Sequence, residues 1–245
     1  MKTTRLRETK GALRNKTKLQ LPQALTSQAT QTTSGWAGSM NAYCLSLYSA
    51  CHPLRPGLED YIAQRYARRH QAAISNYLPH LLALKNGRRT VAALGLNSAL
   101  KQTLFLEAYL DKPVEQAISQ QLCIPVDRAR VVEIGNLAAT QRTASTLLFT
   151  LLSALLDQAG YRWIVFTATP YVQALVISMG FSLQAISEAK AERINAASKW
   201  GTYYDAHPQV MVGCIDEAMR QALSPTLRKW IKAHRQSINT IASRV

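Results

Sequence analysis

The sequence predicts an α/β (α+β) fold in which a twisted sheet is flanked by helices. Two observations carry that expectation. Residues 129–186 alternate strand, helix, strand, helix, strand, a pattern of crossover helices lacing a sheet rather than of a bundle or a sandwich. Strands joined in that way are expected to lie parallel. Hydrophobic residues make up 47% of the 245, enough to fill the core such a sheet needs.

The elements follow in chain order. Residues 1–40 are rich in Thr, Ser, Gln and Lys with scattered Leu, and bury too little apolar area to offset the entropy of ordering, so a flexible basic extension is expected. A body spanning 41–223 begins with a short strand at NAYCLSLYSA and a Pro/Gly corner, HPLRPG. From Leu58 to Leu84 apolar residues recur at three- and four-residue steps through Ile62, Tyr66, Ala73 and Tyr77. Pro79 divides that run into a long helix and an extended LPHLLAL. A strand covers Thr90–Leu96, and Pro113 sits where the first turn of a helix accepts it. ARVVEIGNLA is the strongest strand, and TASTLLFTLLSALLDQAG is a strong helix with Gly160 as its stop. YRWIVFTAT, PYVQALVISMG and FSLQAIS continue as strand, helix and strand; VMVGCID reads as a last strand. Residues 224–245 read as one basic amphipathic helix with Pro225 in its first turn.

The formal charge of +15 is concentrated at the ends: residues 1–20 carry +6, residues 220–245 carry +6, and the remainder only +3. Basic ends attract nucleic acid, anionic lipid or an acidic protein. No zinc finger, RNA-binding aromatic motif or helix-turn-helix pattern accompanies them, so nucleic acid is not the expected ligand. The start of the chain has no apolar signal-peptide core, and Leu6, Leu13 and Leu19 make a poor transit-peptide stripe; a cytoplasmic protein is expected. No apolar run reaches the roughly 20 residues that a spanning helix requires. Cys44, Cys51, Cys123 and Cys214 form no CxxC and lack histidines at zinc spacing, so free, mostly buried thiols and no metal site are expected.

The stretch VVEIGNLAATQRTAS, residues 131–145, takes a strand through small side chains into a helix. The N-terminus of such a helix offers unpaired amides and a partial positive charge to an anion, and Arg142 adds a cation. A plain strand-to-helix connection capped by Ser or Thr fits these features equally well. Neither GxGxxG nor GxxxxGK[ST] is present, which disfavours a kinase, an ATPase or a nicotinamide enzyme.

The order strand, loop, helix, YRWIVFTAT, helix and SMGF, with Gly180 and Phe181 as the closing pair, resembles the acyl-coenzyme A binding half of the GNAT acetyltransferase superfamily. VVEIGNLAA is similar to a strand of acyl-homoserine lactone synthases, with Asn136 where those carry Arg. The blocks LEDYIAQRYARRHQAAI, TLFLEAYLDKPVEQAIS, VVEIGNLAA and WGTYYDAHPQV, in that order, resemble the thermostable hemolysin family across about 41–215. The resemblance implies a GNAT-like sheet whose fourth and fifth strands splay apart around a pantetheine arm. It places Gly135, Leu137 and Ala138 along the arm, Trp163–Ala168 with Thr167 as the opposite wall, and Gln141, Arg142, Thr143, Ala144 and Ser145 through Thr146 around the pyrophosphate. The chain departs from the superfamily pattern at Ala144 and Thr146, where small glycine-like positions are usual, and at Val176, where many acetyltransferases place a tyrosine acid. No tightly bound cofactor is implied; acyl-CoA or an acyl carrier protein serves as co-substrate.

An amine attacks a thioester only when uncharged, so a base is needed. Glu133 sits mid-strand in an apolar run, where a carboxylate is either ion-paired, with Arg128, Arg130 or Arg142, or raised in pKa. Glu107 poses the same choice against a surface helix-start charge. WGTYYD supplies Trp200, Tyr203, Tyr204 and Asp205, as proton donors and an acyl-chain wall or as an aromatic core cluster. Asn136 suits either a thioester-carbonyl contact or a left-handed turn. His70 and His80 are expected at solvent or in the core. No GxSxG supports a serine lipase. The leading expectation is an acyltransferase acting on an amine or amino-acid-derived acceptor. The alternatives are a membrane-active protein inserting its basic terminus and a non-catalytic carrier-binding module of the same fold.

Overall fold

Leucine-rich and β-branched runs form the strands of a single sheet in the computed structural model, which describes residues 42–221 and 224–245. The expected flexible extension at 1–40 lies outside the described residues. The strands are β1 (Tyr43–Tyr48), β2 (His80–Asn86), β3 (Arg89–Ser98), β4 (Val131–Ala139), β5 (Trp163–Ala168), β6 (Leu183–Glu188) and β7 (Gln209–Cys214). Their spatial order is β1-β2-β3-β4-β5-β7-β6. Among the described residues only β4 and β5 pair in parallel; every other neighbouring pair is antiparallel. β5 and β6 run in the same direction, as their connecting helix predicts, but β7 inserts between them and pairs with both. The fold is therefore a mixed, mostly antiparallel open sheet flanked by helices.

The helices are α1 (Arg55–His70), α2 (Val114–Leu122), α3 (Arg142–Gln158), α4 (Pro170–Ser178), α5 (Ile215–Gln221), α6 (Pro225–Ala233) and α7 (Arg235–Ala242). α1 ends earlier than its apolar repeat suggests. Arg68, Arg69 and His70 in its last turn favour the negative end of the helix, and Gln71 turns left-handed at φ 54°. Beyond it the chain is extended. Ala72 and Ile74 alternate inward, and the Ala73 N–H donates to the Lys199 carbonyl at 2.7 Å. The three- and four-residue recurrence thus runs on into a segment whose true period is two.

Strand parity assigns two faces. Leu82, Leu84, Leu94 and Leu96 point to the face covered by α3, whose residues from Leu147 to Leu156 are all buried. The opposite face carries two apolar clusters. One joins Leu106, Val114, Ile118, Val131, Trp163 and Val165 beneath a 3₁₀ turn at Phe105–Tyr109 and α2. The other joins Leu58 and Ile62 of α1 to Leu81, Ala83, Ala93 and Ala138. Between these clusters the sheet is open to the cleft described below.

The C-terminal segment forms two helices rather than one, broken at His234. The His234 ring lies 2.9 Å from the Trp230 carbonyl oxygen through Nδ1 and 3.1 Å from that of Tyr43 through Nε2. Trp230, Ile238 and Ile241 are buried, and α6 and α7 lie against α3. The cysteines are free, but Cys44, Cys51 and Cys123 are exposed and only Cys214 is half-buried, so the expectation of buried thiols is corrected. Among the described residues no helix is long and apolar enough to cross a membrane.

Candidate active site

Pairing between β4 and β5 covers Val131–Ile134 against Trp163–Phe166 and then stops, although β4 continues to Ala139 and β5 to Ala168. The cause lies in β4. Between Gly135, opposite Gly95, and Ala138, opposite Ala93, β4 holds one residue more than β3. Asn136 absorbs it as a bulge with φ 51°. The strand bends, and Asn136 and Leu137 have no partner in either ladder.

A cleft of about 1010 Å³ occupies the opening. Gly135, Asn136, Leu137 and Ala138 line one side and Phe166 and Thr167 the other, with Ser145 and Phe149 of α3 at its back. Tyr66, Trp200, Tyr203, Phe105 and Tyr109 wall the front, and Arg68, Arg69, Gln141 and Arg142 surround the mouth. Leu78 lies in the socket between the paired Gly95 and Gly135. A Cβ on Gly95 would meet Leu78 Cβ and Asn136 Oδ1, each at 2.8 Å, which is why that crossing is built from glycine.

Glu133 is the buried carboxylate of the cleft, with 3% exposure. Among the described residues it has no arginine partner. Its oxygens accept the Phe105 and Leu106 amide N–H groups, both at 2.9 Å, and a bond from the Asn97 side chain. Burial nonetheless outweighs these bonds and pushes the carboxyl up to about 7, with the nearby Glu107 charge adding to the rise. The ion-pair alternative is thereby excluded in favour of the raised carboxyl.

Glu107 lies outside the cleft. It forms a two-pronged pair with Arg128 at 2.7 and 2.9 Å and accepts the Leu104 and Val114 amides, closing the 3₁₀ turn onto α2. Burial alone would raise its pKa, but Arg128 and the two amides outweigh it and hold the carboxyl at about 2. Arg128 reaches Glu115 as well. The expected catalytic carboxylate at 107 is therefore a structural clamp.

Asn136 also departs from its expected contact with a thioester. Its Oδ1 accepts the Leu78 N–H at 2.9 Å and its Nδ2 donates to the Asn76 carbonyl at 3.1 Å. The side chain fastens the 76–78 segment over the bulge, and its left-handed backbone makes the bulge. Arg55 secures the same segment, donating to the Leu78 and Pro79 carbonyls at 2.9 and 2.6 Å.

The two tyrosines of WGTYYD separate. Tyr203 faces the cleft and donates to the Thr167 carbonyl at 3.2 Å, while Tyr204 stands behind the wall, its hydroxyl 2.6 Å from that of Tyr109. Desolvation raises all three phenols, so they hold their protons at neutral pH. Trp200 packs edge-on against Tyr66 and tilted against Tyr203; Asp205 is exposed. His70 reaches the cleft, its ring 5.3 Å from that of Tyr203, while His80 is half-buried outside it.

In the loop, Gln141, Arg142 and Ser145 line the cleft, whereas Thr143 and Ala144 do not, and Ala144 is buried. Gln141 occupies the cap position of α3 without a side-chain cap, so the Ser or Thr cap of the plain alternative is absent. The first-turn amides of Arg142, Thr143 and Ala144 precede the first intrahelical bond, whereas Ser145 N–H already donates to the Gln141 carbonyl at 3.3 Å. Ser145 therefore offers the cleft its side chain rather than its amide. Arg142 donates to Ser178 Oγ of α4 at 2.8 Å. Val176 is fully buried, so no acid reaches the cleft from that position.

Tyr66, Leu78, Asn97, Phe105 and Tyr109 escape a reading of the sequence. Asn97 carried a signal, a lone amide in an apolar strand like that of Glu133. The other four belong to apolar patterns that look the same whether a side chain fills a core or walls a cleft.

The family model described as Thermostable hemolysin matches residues 48–219. No curated protein matches the chain. Among solved structures the chain is similar to the AHL synthase LasI, at 8% identity and TM-score 0.52, over 74% of this chain and 97% of that one. It is similar to FeeM, an N-acyl amino acid synthase from uncultured soil microbes, at 15% identity and TM-score 0.51, over 76% and 97%. A third likeness is to BjaI, a CoA-dependent acyl-homoserine lactone synthase solved with SAM and isopentyl-CoA, at 12% identity and TM-score 0.50, over 79% and 89%. At these identities the likeness establishes the GNAT-like fold.

Proposed function

The chain belongs to the thermostable hemolysin family, and on that footing we propose that it is an acyltransferase, moving an acyl group from a coenzyme A or carrier-protein thioester to an amine or amino-acid-derived acceptor. The observation that carries this is the opening between β4 and β5 with a buried, high-pKa carboxylate at its edge. An extended pantetheine arm needs a slot with free backbone groups along one side, and Gly135–Ala138 supplies one. The arm's phosphate falls at the uncapped start of α3 beside Arg142. The structurally similar proteins named above act on acyl groups by their descriptions, which supports the same class of chemistry here.

The step balances with the groups present. A bound ammonium loses one proton to Glu133, and the neutral amine attacks the thioester carbon. The carbonyl electrons move to oxygen and return as the C–S bond breaks, and the second amine proton ends on the departing thiolate. Glu133, titrating near neutrality, suits that first transfer. Tyr203 and Trp200 exclude water from the front.

An acidic carrier protein would be drawn by the exposed Lys229, Lys232 and Arg235. Insertion of the C-terminus into a membrane would require unpacking Trp230, Ile238 and Ile241, which favours acyl transfer over lysis. The test is thiol release from a panel of acyl-CoA and acyl-carrier thioesters with a panel of amines. Amine-dependent release that drops at least 100-fold in Glu133→Ala, with the fold intact, supports the proposal. No release with any pair, or release indifferent to Glu133, refutes it.

A further inference from the structure

Tyr66 meets the opening where the β4 bulge leaves a backbone amide without a strand partner. It lies in the C-terminal part of α1, four residues before the last, and its ring is fixed edge-on against Trp200 at 6.1 Å and tilted against His70 at 6.0 Å. The Leu137 N–H, freed from both ladders by the bulge, donates to the Tyr66 phenol oxygen. That bond uses a lone pair of the phenol and leaves its O–H to donate elsewhere. Among the described residues no acceptor takes that proton. The phenol lines the same cleft as Glu133 and Thr167.

A hydroxyl that accepts a bond becomes a better donor, because the two bonds polarise one another. A half-buried phenol on the wall of the cleft, whose oxygen is held by a main-chain amide and whose O–H is unspent, is preorganised for a developing negative charge. We infer that Tyr66 is a catalytic residue, its O–H binding the acyl carbonyl oxygen as the tetrahedral oxyanion forms, with the Leu137 amide acting through the phenol. This rests on the acyl-transfer reading above. The carbonyl π electrons move onto oxygen as the C–N bond forms, the Tyr66 proton stays on the phenol throughout, and the electrons return when the C–S bond breaks. Because the phenol holds its proton well above neutral pH, through desolvation, it donates over the whole range in which Glu133 titrates.

The discriminating experiment compares wild type, Tyr66→Phe and protein carrying 3-fluorotyrosine at position 66, using the acyl thioester and amine that the wild type turns over best. Tyr66→Phe keeps the ring packing and removes only the donor. Its kcat is expected to fall about 100-fold, the scale of losing one oxyanion donor, with KM changed by less than about threefold. Fluorination sharpens the donor while leaving shape nearly unchanged, and is expected to alter kcat with melting temperature unmoved. A Tyr66→Phe protein that keeps kcat within about threefold of wild type, or a fluorinated protein with unaltered kcat, overturns the assignment. A wild type that transfers no acyl group removes both this inference and the reading beneath it, whereas an active wild type beside an equally active Tyr66→Phe removes this inference alone.

Discussion

Glu133 ties stability and activity to the same proton. Its carboxyl titrates at about 7 in the fold against 4.5 for an unperturbed carboxyl, so between those values the folded chain binds more protons than the unfolded one. Its contribution to stability is therefore greatest below about 4.5 and declines as pH rises to about 7. Activity runs the other way, since the base must be ionised: the rate should climb through a single ionisation near 7 as pH rises. Urea unfolding and kcat/KM across pH 4–9 check the opposed slopes, and Glu133→Gln should lose both. That variant is not silent structurally, because its NH2 group would face an amide donor from Phe105 or Leu106. The sequence exposed Glu133 as a carboxylate among apolar residues, but its partners lie 27 and 28 residues away, in a 3₁₀ turn that no local pattern announces.

The crossing of β3 and β4 is a second residue-scale device. Gly95→Ala places a methyl group against Leu78 and the Asn136 carboxamide, and should cost about 1–3 kcal/mol in chemical unfolding while loosening the bulge. Asn136 was visible in the sequence as a break in a β-branched run. That its carboxamide is consumed by Asn76 and Leu78 was not, since both contacts bridge about sixty residues.

At the scale of elements, the 3₁₀ turn that presents amides to Glu133 is itself held by Glu107, Arg128 and Glu115. Glu107 is depressed to about 2, so its contribution is complete above about 4.5 and is lost as pH falls toward 2. Glu107→Ala leaves two backbone amides without their acceptor and Arg128 with Glu115 as its remaining carboxylate, and a loss of about 1–3 kcal/mol at neutral pH is expected, shrinking in acid. Unfolding at pH 7 and pH 2.5 measures the difference. The helices and strands from Val131 to Glu188 were legible because each carries its own period and its own stop. The end of α1 was not, since its repeat continues by coincidence into an extended segment whose inward residues, Ala72 and Ile74, are fixed by long-range packing. The insertion of β7 between β5 and β6 is likewise a matter of sheet topology, which periodicity does not encode.

For the whole molecule, the C-terminal helices are part of the core rather than an appendage. Trp230 is 2% exposed against Tyr43 and the His234 ring, so Trp230→Ala should destabilise the protein by about 3–5 kcal/mol. Thermal or urea melting reads that loss, and an unchanged midpoint would contradict the packing. The parallel pairing of β4 and β5 ends where the bulge bends β4 away, and everything proposed about chemistry follows from the room this leaves. A crystal structure with a stable thioether analogue of an acyl-pantetheine donor tests that directly. The arm should lie along Gly135–Ala138, facing Phe166 and Thr167, with its carbonyl position beside Tyr66. An analogue bound elsewhere while β4 and β5 close on each other would contradict the account.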